Sequence, residues 1–267
     1  MKPIKNISLL ILVFLLYAFA GCKKIIDVNL DNSAQKIVVT GEVTDYAGPY
    51  KVTISKTVDV ASDNIFPPVS GALVTISENG IADTLQENEP GIYISHTLKG
   101  TPAKSYILHI NAEGQTFSAV SKMPEAVALD SIGFMSGRGK NIFPVAYFRD
   151  PYPRENYYQF IQYVNGQKMK NGFGNSVFED RLSNGRFISY VLYSDSTGLK
   201  KGDTLTIQMN SIDKPSYQFF SQLQQVSSGS GSGFSSPTPV NPTSNISGGA
   251  LGYFSAYSIS TRQVIVP

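Results

Sequence analysis

Hydrophobic residues in the first half of the chain recur at every second position. Ile37, Val39 and Val43 alternate with polar neighbours, and the alternation resumes after the turn at residues 46–49. A period of two places alternate side chains on one face of a β-strand. Separated by Gly-containing turns, such segments predict seven short strands, at residues 37–43, 50–55, 72–77, 82–86, 91–97, 104–111 and 115–121. Seven strands without an intervening helix predict an antiparallel β-sandwich domain over residues 36–122.

Residues 123–267 predict a second antiparallel β domain, which is richer in aromatic residues. Its strands are expected at residues 128–135, 143–148, 157–164, 176–178, 187–193, 203–211, 250–258 and 262–266. After Asp213 the hydrophobic residues recur at the longer spacing of a helix. Asp213 is a suitable N-terminal cap and Pro215 suits a first helical turn, so one short helix is predicted at residues 214–226. The Ser-, Gly- and Pro-rich residues 227–249 predict a flexible loop. The predicted fold class is mainly β.

The N-terminal apolar run has the pattern of a signal peptide. Lys2 and Lys5 precede the run at residues 7–20, which is shorter than the roughly 20 residues that cross a bilayer. Small residues then lead to Gly21 and Cys22, an order typical of bacterial lipoprotein signals. We expect cleavage between Gly21 and Cys22.

Cleavage of residues 1–21 makes Cys22 the N-terminal residue and the expected site of lipidation. Two or three acyl chains, at about 0.8 kcal/mol per buried methylene, anchor a protein that does not span the membrane. Residues 22–35 are then a polar tether. An ordinary secretory signal with a chance cysteine and an uncleaved anchor are the alternatives.

Net charge and cysteine content limit the classes of function that the chain can have. The net charge of +2 equals the contribution of Lys2 and Lys5, so the remainder of the chain is neutral and nucleic acid is not an expected partner. Because Cys22 is the only cysteine, its lipidation excludes disulfides and thiolate chemistry. His96 and His109, the only histidines, lack partners at metal-ligand spacing, and His109 is expected to face solvent. We predict no catalytic, cofactor or metal residues and no enzymatic activity.

Two pairs of neighbouring acids are the remaining candidates for chemistry. Glu87 and Glu89 form one pair, and Glu179 and Asp180 form the other. Glycosidases need two carboxylates held about 5 to 10 Å apart across a cleft, and a calcium turn at residues 179–185 would match no standard loop. We expect all four to be solvated turn residues.

Aromatic pairs on the predicted strands offer surfaces for packing or binding. Tyr157 with Tyr158, and Tyr253 with Phe254, place one ring on each face of a sheet. One ring of each pair is expected in the core. The outward ring serves either packing or contact with a ligand or partner.

Residues 36–121 resemble the prealbumin-like or carboxypeptidase-regulatory-like sandwich, an Ig-like arrangement. The motifs that carry this resemblance are Val39-x-Gly41-x-Val43-x-Asp45, Pro68-Val69-Ser70-Gly71-Ala72, Gly91-x-Tyr93 and Tyr106-x-Leu108-x-Ile110. Such motifs specify turns and core positions, so the resemblance implies a fold and no substrate.

Nearly the whole chain resembles the DUF4249-type outer-membrane lipoproteins of Bacteroidetes, which accompany TonB-dependent receptors. The resemblance rests on the order of Cys22-Lys23-Lys24-Ile25-Ile26-Asp27, Tyr147-Phe148-Arg149-Asp150, Glu155-Asn156-Tyr157-Tyr158, Gly202-Asp203-Thr204-Leu205 and Gly248-Gly249-Ala250-Leu251-Gly252-Tyr253-Phe254. It implies an outer-membrane location, on the periplasmic or the surface side, but no chemistry.

The expected function is that of a non-enzymatic binding or accessory lipoprotein of nutrient uptake. Its expected partners are membrane lipid, through acylated Cys22, and a TonB-dependent receptor. A structural or adhesive envelope lipoprotein is the alternative, and a hydrolase of unrecognised type is a rarer third. A pocket with converging carboxylates would favour the hydrolase, and a flat aromatic face would favour binding.

Overall fold

Alternating burial in the first half of the chain builds two facing sheets around one core. The computed structural model describes residues 35–58, 65–137, 141–169, 175–193, 199–227 and 241–267. One sheet includes β1 (Ile37–Thr44), β2 (Lys51–Lys56), β6 (Ile92–Ile94) and β5 (Gln86–Glu89) in that order. The other has the order β4 (Ile81–Thr84), β3 (Leu73–Glu78), β7 (Ser105–Ala112) and β8 (Gln115–Lys122). The predicted β-sandwich is confirmed, with Val39, Val52, Ile76 and Leu108 in its core.

The strand predicted at residues 82–86 is in fact two strands in different sheets. Leu85 is 4% exposed, and its N–H donates to the carbonyl of Val74 at 2.9 Å. The chain passes from β4 to β5 at this buried residue, because Leu85 turns into the core that the two sheets share.

The sheet that holds β1 continues past that strand into the second half of the chain, and we call it the long sheet. A second core lies between this continuation and a separate three-stranded sheet. The three-stranded sheet has the order β14 (Phe187–Val191), β10 (Ile142–Arg149) and β9 (Leu129–Ser136). Opposite it are β11 (Tyr157–Val164), β12 (Gln167–Lys168), β13 (Asn175–Glu179) and β15 (Thr204–Ile212). Phe148, Phe160 and Ile207 are among the residues that fill this core.

The last strand joins the two halves. The sequence predicts two strands at residues 250–258 and 262–266, but β16 (Leu251–Ile265) is continuous because no Gly or Pro interrupts its later part. Its first half pairs in parallel with β1, from Val38 with Leu251 to Thr44 with Tyr257. Its second half pairs antiparallel with β15. Residues 35–267 form one compact unit, and the domain boundary at residue 122 stays a prediction.

Among the residues that the structure describes, one helix is found, α1 (Lys214–Ser227), and it packs on the outer face of the long sheet. The predicted cap is in place, since Asp213 Oδ1 accepts the N–H of Ser216 at 3.0 Å. Phe219 and Phe220 pack on Tyr253, with ring centroids 4.9 and 4.8 Å away. No helix within the described ranges has the length and apolar character to cross a membrane.

The helix explains the outward aromatic rings. Tyr157 lies 5.0 Å from Tyr217 of α1, and Tyr253 lies under the two phenylalanines of the helix. The inner partners Tyr158 and Phe254 are fully buried. Both faces of the sheet are therefore packed at these positions.

Part of the predicted flexible loop is fixed to the first sandwich. Residues 228–240 lie outside the described residues. Downstream of them, Ser247 donates its N–H to the carbonyl of Ser118 at 2.7 Å, and Ile246 forms an isolated bridge with Ala119 of β8. The end of this segment is thus anchored before β16 begins.

Candidate functional site

A cleft of about 630 Å³ lies where the two cores meet. We call it the junction cleft and define it by three segments: the connection at residues 122–128, the loop at residues 151–157 and the entrance to α1 at residues 211–214, with Ala103 and Arg149 beside them. Each wall belongs to a different part of the chain, so only the folded protein forms this cleft.

The connection between β8 and β9 is held at both ends. Met123 is buried and donates its N–H to the carbonyl of Lys104 at 2.8 Å. Further along, the N–H of Val127 donates to Ser211 Oγ at 3.3 Å, and the N–H of Leu129 donates to Ser260 Oγ at 2.9 Å. These bonds satisfy the backbone of an irregular segment and fix one wall of the cleft.

Asp213 ties the entrance of the helix to the first sandwich. Besides capping α1, its carboxylate accepts bonds at Oδ2 from Ser121 Oγ at 2.7 Å and from the N–H of Lys122 at 3.1 Å. Ser121 Oγ also accepts the N–H of Ala256 in β16 at 2.8 Å. One acid therefore links β8, β16 and α1 at the floor of the cleft.

Two buried acids hold the third wall, the loop at residues 151–157. Asp150 and Asp180 are each 1% exposed. Asp150 accepts the hydroxyl of Tyr158 at 2.5 Å and the N–H of Gly185 at 2.8 Å. Asp180 Oδ1 accepts the N–H of Asn156 at 3.0 Å. The loop is thus fastened where it leaves β10 and where it enters β11.

Asp150 and Asp180 are close enough to influence each other electrostatically. Burial, followed by the contact with Asp150, raises the pKa of Asp180, opposed by the N–H of Asn156. Burial and the bond to Asp150 raise the pKa of Tyr158 far above its ordinary value, so this hydroxyl stays protonated and donates. Asp180 is therefore protonated more readily than an ordinary aspartate.

The structure corrects the expectation that the two pairs of neighbouring acids lie in turns. Glu179 is the last residue of β13 and pairs with Arg181 at 3.6 Å, and Asp180 is buried and not solvated. Glu87 and Glu89 are exposed, as expected, but both lie on β5. Glu87 accepts the N–H groups of Gly71 and Gly91, both at 2.9 Å.

The part of the chain that the structure describes has no cluster of metal-ligating side chains. There, no three His, Cys, Asp or Glu side chains are grouped to hold an ion. His109 is exposed on β7, as predicted, and His96 is exposed after β6. Gly21 and Cys22, the predicted cleavage and lipidation residues, lie outside the described ranges.

Positive charge around the junction cleft is only partly neutralised. Lys214 pairs with Glu155 at 3.8 Å. By contrast, Lys122, Arg149 and Arg154 are exposed and make no ion pair with any described residue. The lining as a whole has four cations against three acids, Glu125, Glu155 and Asp213. With apolar lining from Met123, Val127 and Ile212, the cleft suits a small ligand that combines one negative charge with apolar surface. Sequence analysis missed these cations because they lie far apart in the chain, at the end of β8, at the end of β10 and in the loop that follows β10.

The fold and the cleft define a two-core β protein with a polar cleft at its junction. The family model for a domain of unknown function, DUF4249, matches residues 23–263, so the chain belongs to the DUF4249 family. The resemblance to the DUF4249 family noted from the sequence is thereby confirmed. A comparison with curated proteins finds no match.

Proposed function

We propose that this DUF4249 protein is a non-enzymatic binding lipoprotein of the outer membrane that serves TonB-dependent nutrient uptake. Acylated Cys22 holds it on the lipid layer, and residues 22–35 form its tether. Fully extended, 14 residues reach about 50 Å, which allows the folded body to work beside a receptor.

The junction cleft carries the proposal. Its volume of about 630 Å³ lies within the range of roughly 300 to 1,000 Å³ typical of small-molecule sites. Its walls are fastened by hydrogen bonds, and preorganised walls lower the entropic cost of binding. The exposed cations at residues 122, 149 and 154 give it a preference for an anionic ligand.

Two experiments test the anchor and the partner. Palmitate labelling of whole cells should mark the wild-type protein and leave Cys22→Ala unlabelled. An affinity-tagged full-length protein, solubilised in detergent, should co-purify a TonB-dependent receptor. Recovery of peptidoglycan alone, or of nothing, contradicts the role in uptake.

A third experiment tests the cleft. Calorimetric titration of the full-length protein with citrate, a small polyanion, should give binding that Arg149→Gln/Arg154→Gln weakens at least about tenfold. The matched control is Lys168→Gln/Lys201→Gln, which removes the same charge from two exposed sites outside the cleft. Equal affinities for the two double variants would refute an anion site in the cleft.

A structural spacer of the envelope is the second candidate. It is favoured by the continuous strand β16, which pairs with β1 and with β15 and so fastens the two cores to each other. A spacer needs no ligand. Loss of envelope integrity in a deletion strain with normal nutrient uptake would support this role.

A further inference from the structure

A second polar pocket lies on the outer face of the first sandwich, away from the residues that form the junction cleft. Val39 and Val43 of β1 point into the core, so Thr40, Glu42 and Thr44 face outward. The pocket has a volume of about 420 Å³, and these three residues line it together with Thr53 and Tyr253.

Two tyrosines of β16 hold the carboxylate of Glu42. Tyr253 donates its hydroxyl to Oε1 at 2.6 Å, and Tyr257 donates to Oε2 at 2.8 Å. Burial, reinforced by the charge of Glu42, raises the pKa of both tyrosines, so both remain donors. The parallel pairing of β1 with β16 sets this geometry, since Glu42 lies opposite Ser255, between the two tyrosines.

No positive charge neutralises Glu42 within the described residues. None of the ion pairs there includes it. Lys51 lines the same pocket, but it is exposed and makes no ion pair either. Each carboxylate oxygen accepts about two hydrogen bonds, so each keeps capacity for one donor beyond its tyrosine.

Three threonines in the lining of this pocket also have hydroxyl groups that are available to a ligand. The hydroxyls of Thr40, Thr44 and Thr53 make no hydrogen bond to another described residue, and the three residues line the same pocket as Glu42, with Thr40 paired to Thr53 across the sheet. Tyr253 also lines this pocket. A carboxylate and three hydroxyl-bearing side chains together are complementary to a polar ligand with one positive charge.

We propose that this pocket is a binding site for a small hydroxylated amine, whose primary ammonium group pairs with Glu42. The threonine hydroxyls bond the hydroxyl groups of the ligand, and Tyr253 and Tyr257 orient the carboxylate. This site takes the opposite charge from the junction cleft and does not depend on the function proposed for that cleft.

Glucosamine and glucose are the matched probes, because they differ by one ammonium group in place of one hydroxyl. Titration of the full-length protein, followed by calorimetry or by NMR of the probe, should detect glucosamine and give at least about tenfold weaker binding of glucose. Equal binding of the two sugars, or binding of neither, would overturn the proposal.

Variants locate the site. Glu42→Gln keeps an acceptor for one tyrosine but removes the charge, and it should weaken glucosamine binding at least about tenfold, while Glu125→Gln, an exposed acid of the junction cleft, should not. Loss of glucosamine binding in Arg149→Gln/Arg154→Gln but not in Glu42→Gln would move the site to the junction cleft and overturn the proposal. Binding that appears only in Lys51→Met would also overturn it, since Lys51 would then be the ammonium that Glu42 holds. A thermal melt of each variant separates lost binding from lost folding.

Discussion

Replacing Tyr158 by Phe isolates the hydrogen bond at the centre of the buried acid network. The ring is fully buried and lies 4.9 Å from the ring of Phe148 and 6.3 Å from that of Phe178. Phenylalanine preserves these contacts and removes only the hydroxyl, which donates to Asp150 at 2.5 Å. The variant therefore tests one interaction without opening a cavity of more than one oxygen atom.

The expected loss of stability in Tyr158→Phe depends on the hydrogen bonds that Asp150 retains. A hydrogen bond to a charged acceptor contributes about 1.5 to 3 kcal/mol. Asp150 retains the N–H of Gly185, so we expect a loss of about 2 kcal/mol. For a folded body of this size, this corresponds to a fall in Tm of about 4 to 8 °C.

Urea unfolding at pH 7, followed by circular dichroism, measures this loss. The control is Tyr152→Phe, which deletes the same atom from a side chain that is 80% exposed and should change stability by less than about 0.5 kcal/mol. A double-mutant cycle with Asp150→Asn should give a coupling of at least about 1 kcal/mol. If Tyr158→Phe is as stable as Tyr152→Phe, the buried network does not stabilise the loop as argued.

Three further substitutions test other parts of the structure by the same unfolding assay. Asp180 has a raised pKa in the folded state, so its stabilising contribution is present below its unfolded value near 3.8 and is lost as pH rises through the folded value. Asp180→Asn should therefore gain stability relative to wild type between pH 4 and pH 7, and a pH-independent difference would contradict this. Gly252 has φ +98°, and an added Cβ would lie 1.9 Å from the carbonyl oxygen of Val39. Gly252→Ala should cost more than about 3 kcal/mol, whereas Gly202→Ala, at φ +90° with open space around it, should cost about 1 kcal/mol. Asp213→Ala removes a helix cap and the bonds to β8, for an expected loss of about 2 to 3 kcal/mol, and a loss under 0.5 kcal/mol would argue against its role at the floor of the cleft.

Strands with one buried face were predictable from the sequence, and strands with two were harder to interpret. The positions of β7 alternate between buried and exposed, so its period of two is visible in the sequence. In β11 six consecutive positions are buried, because the second core covers one face and α1 lies over part of the other. The outward ring of Tyr157 was therefore ambiguous until the helix was in place.

The buried acids were not predictable for a different reason. An aspartate beside a turn is usually solvated, and neither Asp150, which precedes a proline, nor Asp180, which follows a strand, departs from that pattern. Asp150 follows β10 and Asp180 follows β13, 30 residues further along the chain, so their burial depends on how these strands and β11 come together in the fold. The hydrophobic pattern along the chain gives no sign that these two acids are buried, although they hold one wall of the junction cleft.

The candidate sites depend on which strands pair, more than on which strands exist. Alternation in β1 is enough to place Glu42 on the outer face, and it would do so in any sheet. The hydroxyls that hold the carboxylate come from residues 211 and 215 positions further along the chain. They arrive because β16 pairs in parallel with β1, an arrangement that antiparallel expectations did not include. The second half of β16 pairs with β15 of the second core. One strand therefore places the tyrosines beside Glu42 and also joins the two cores between which the junction cleft lies.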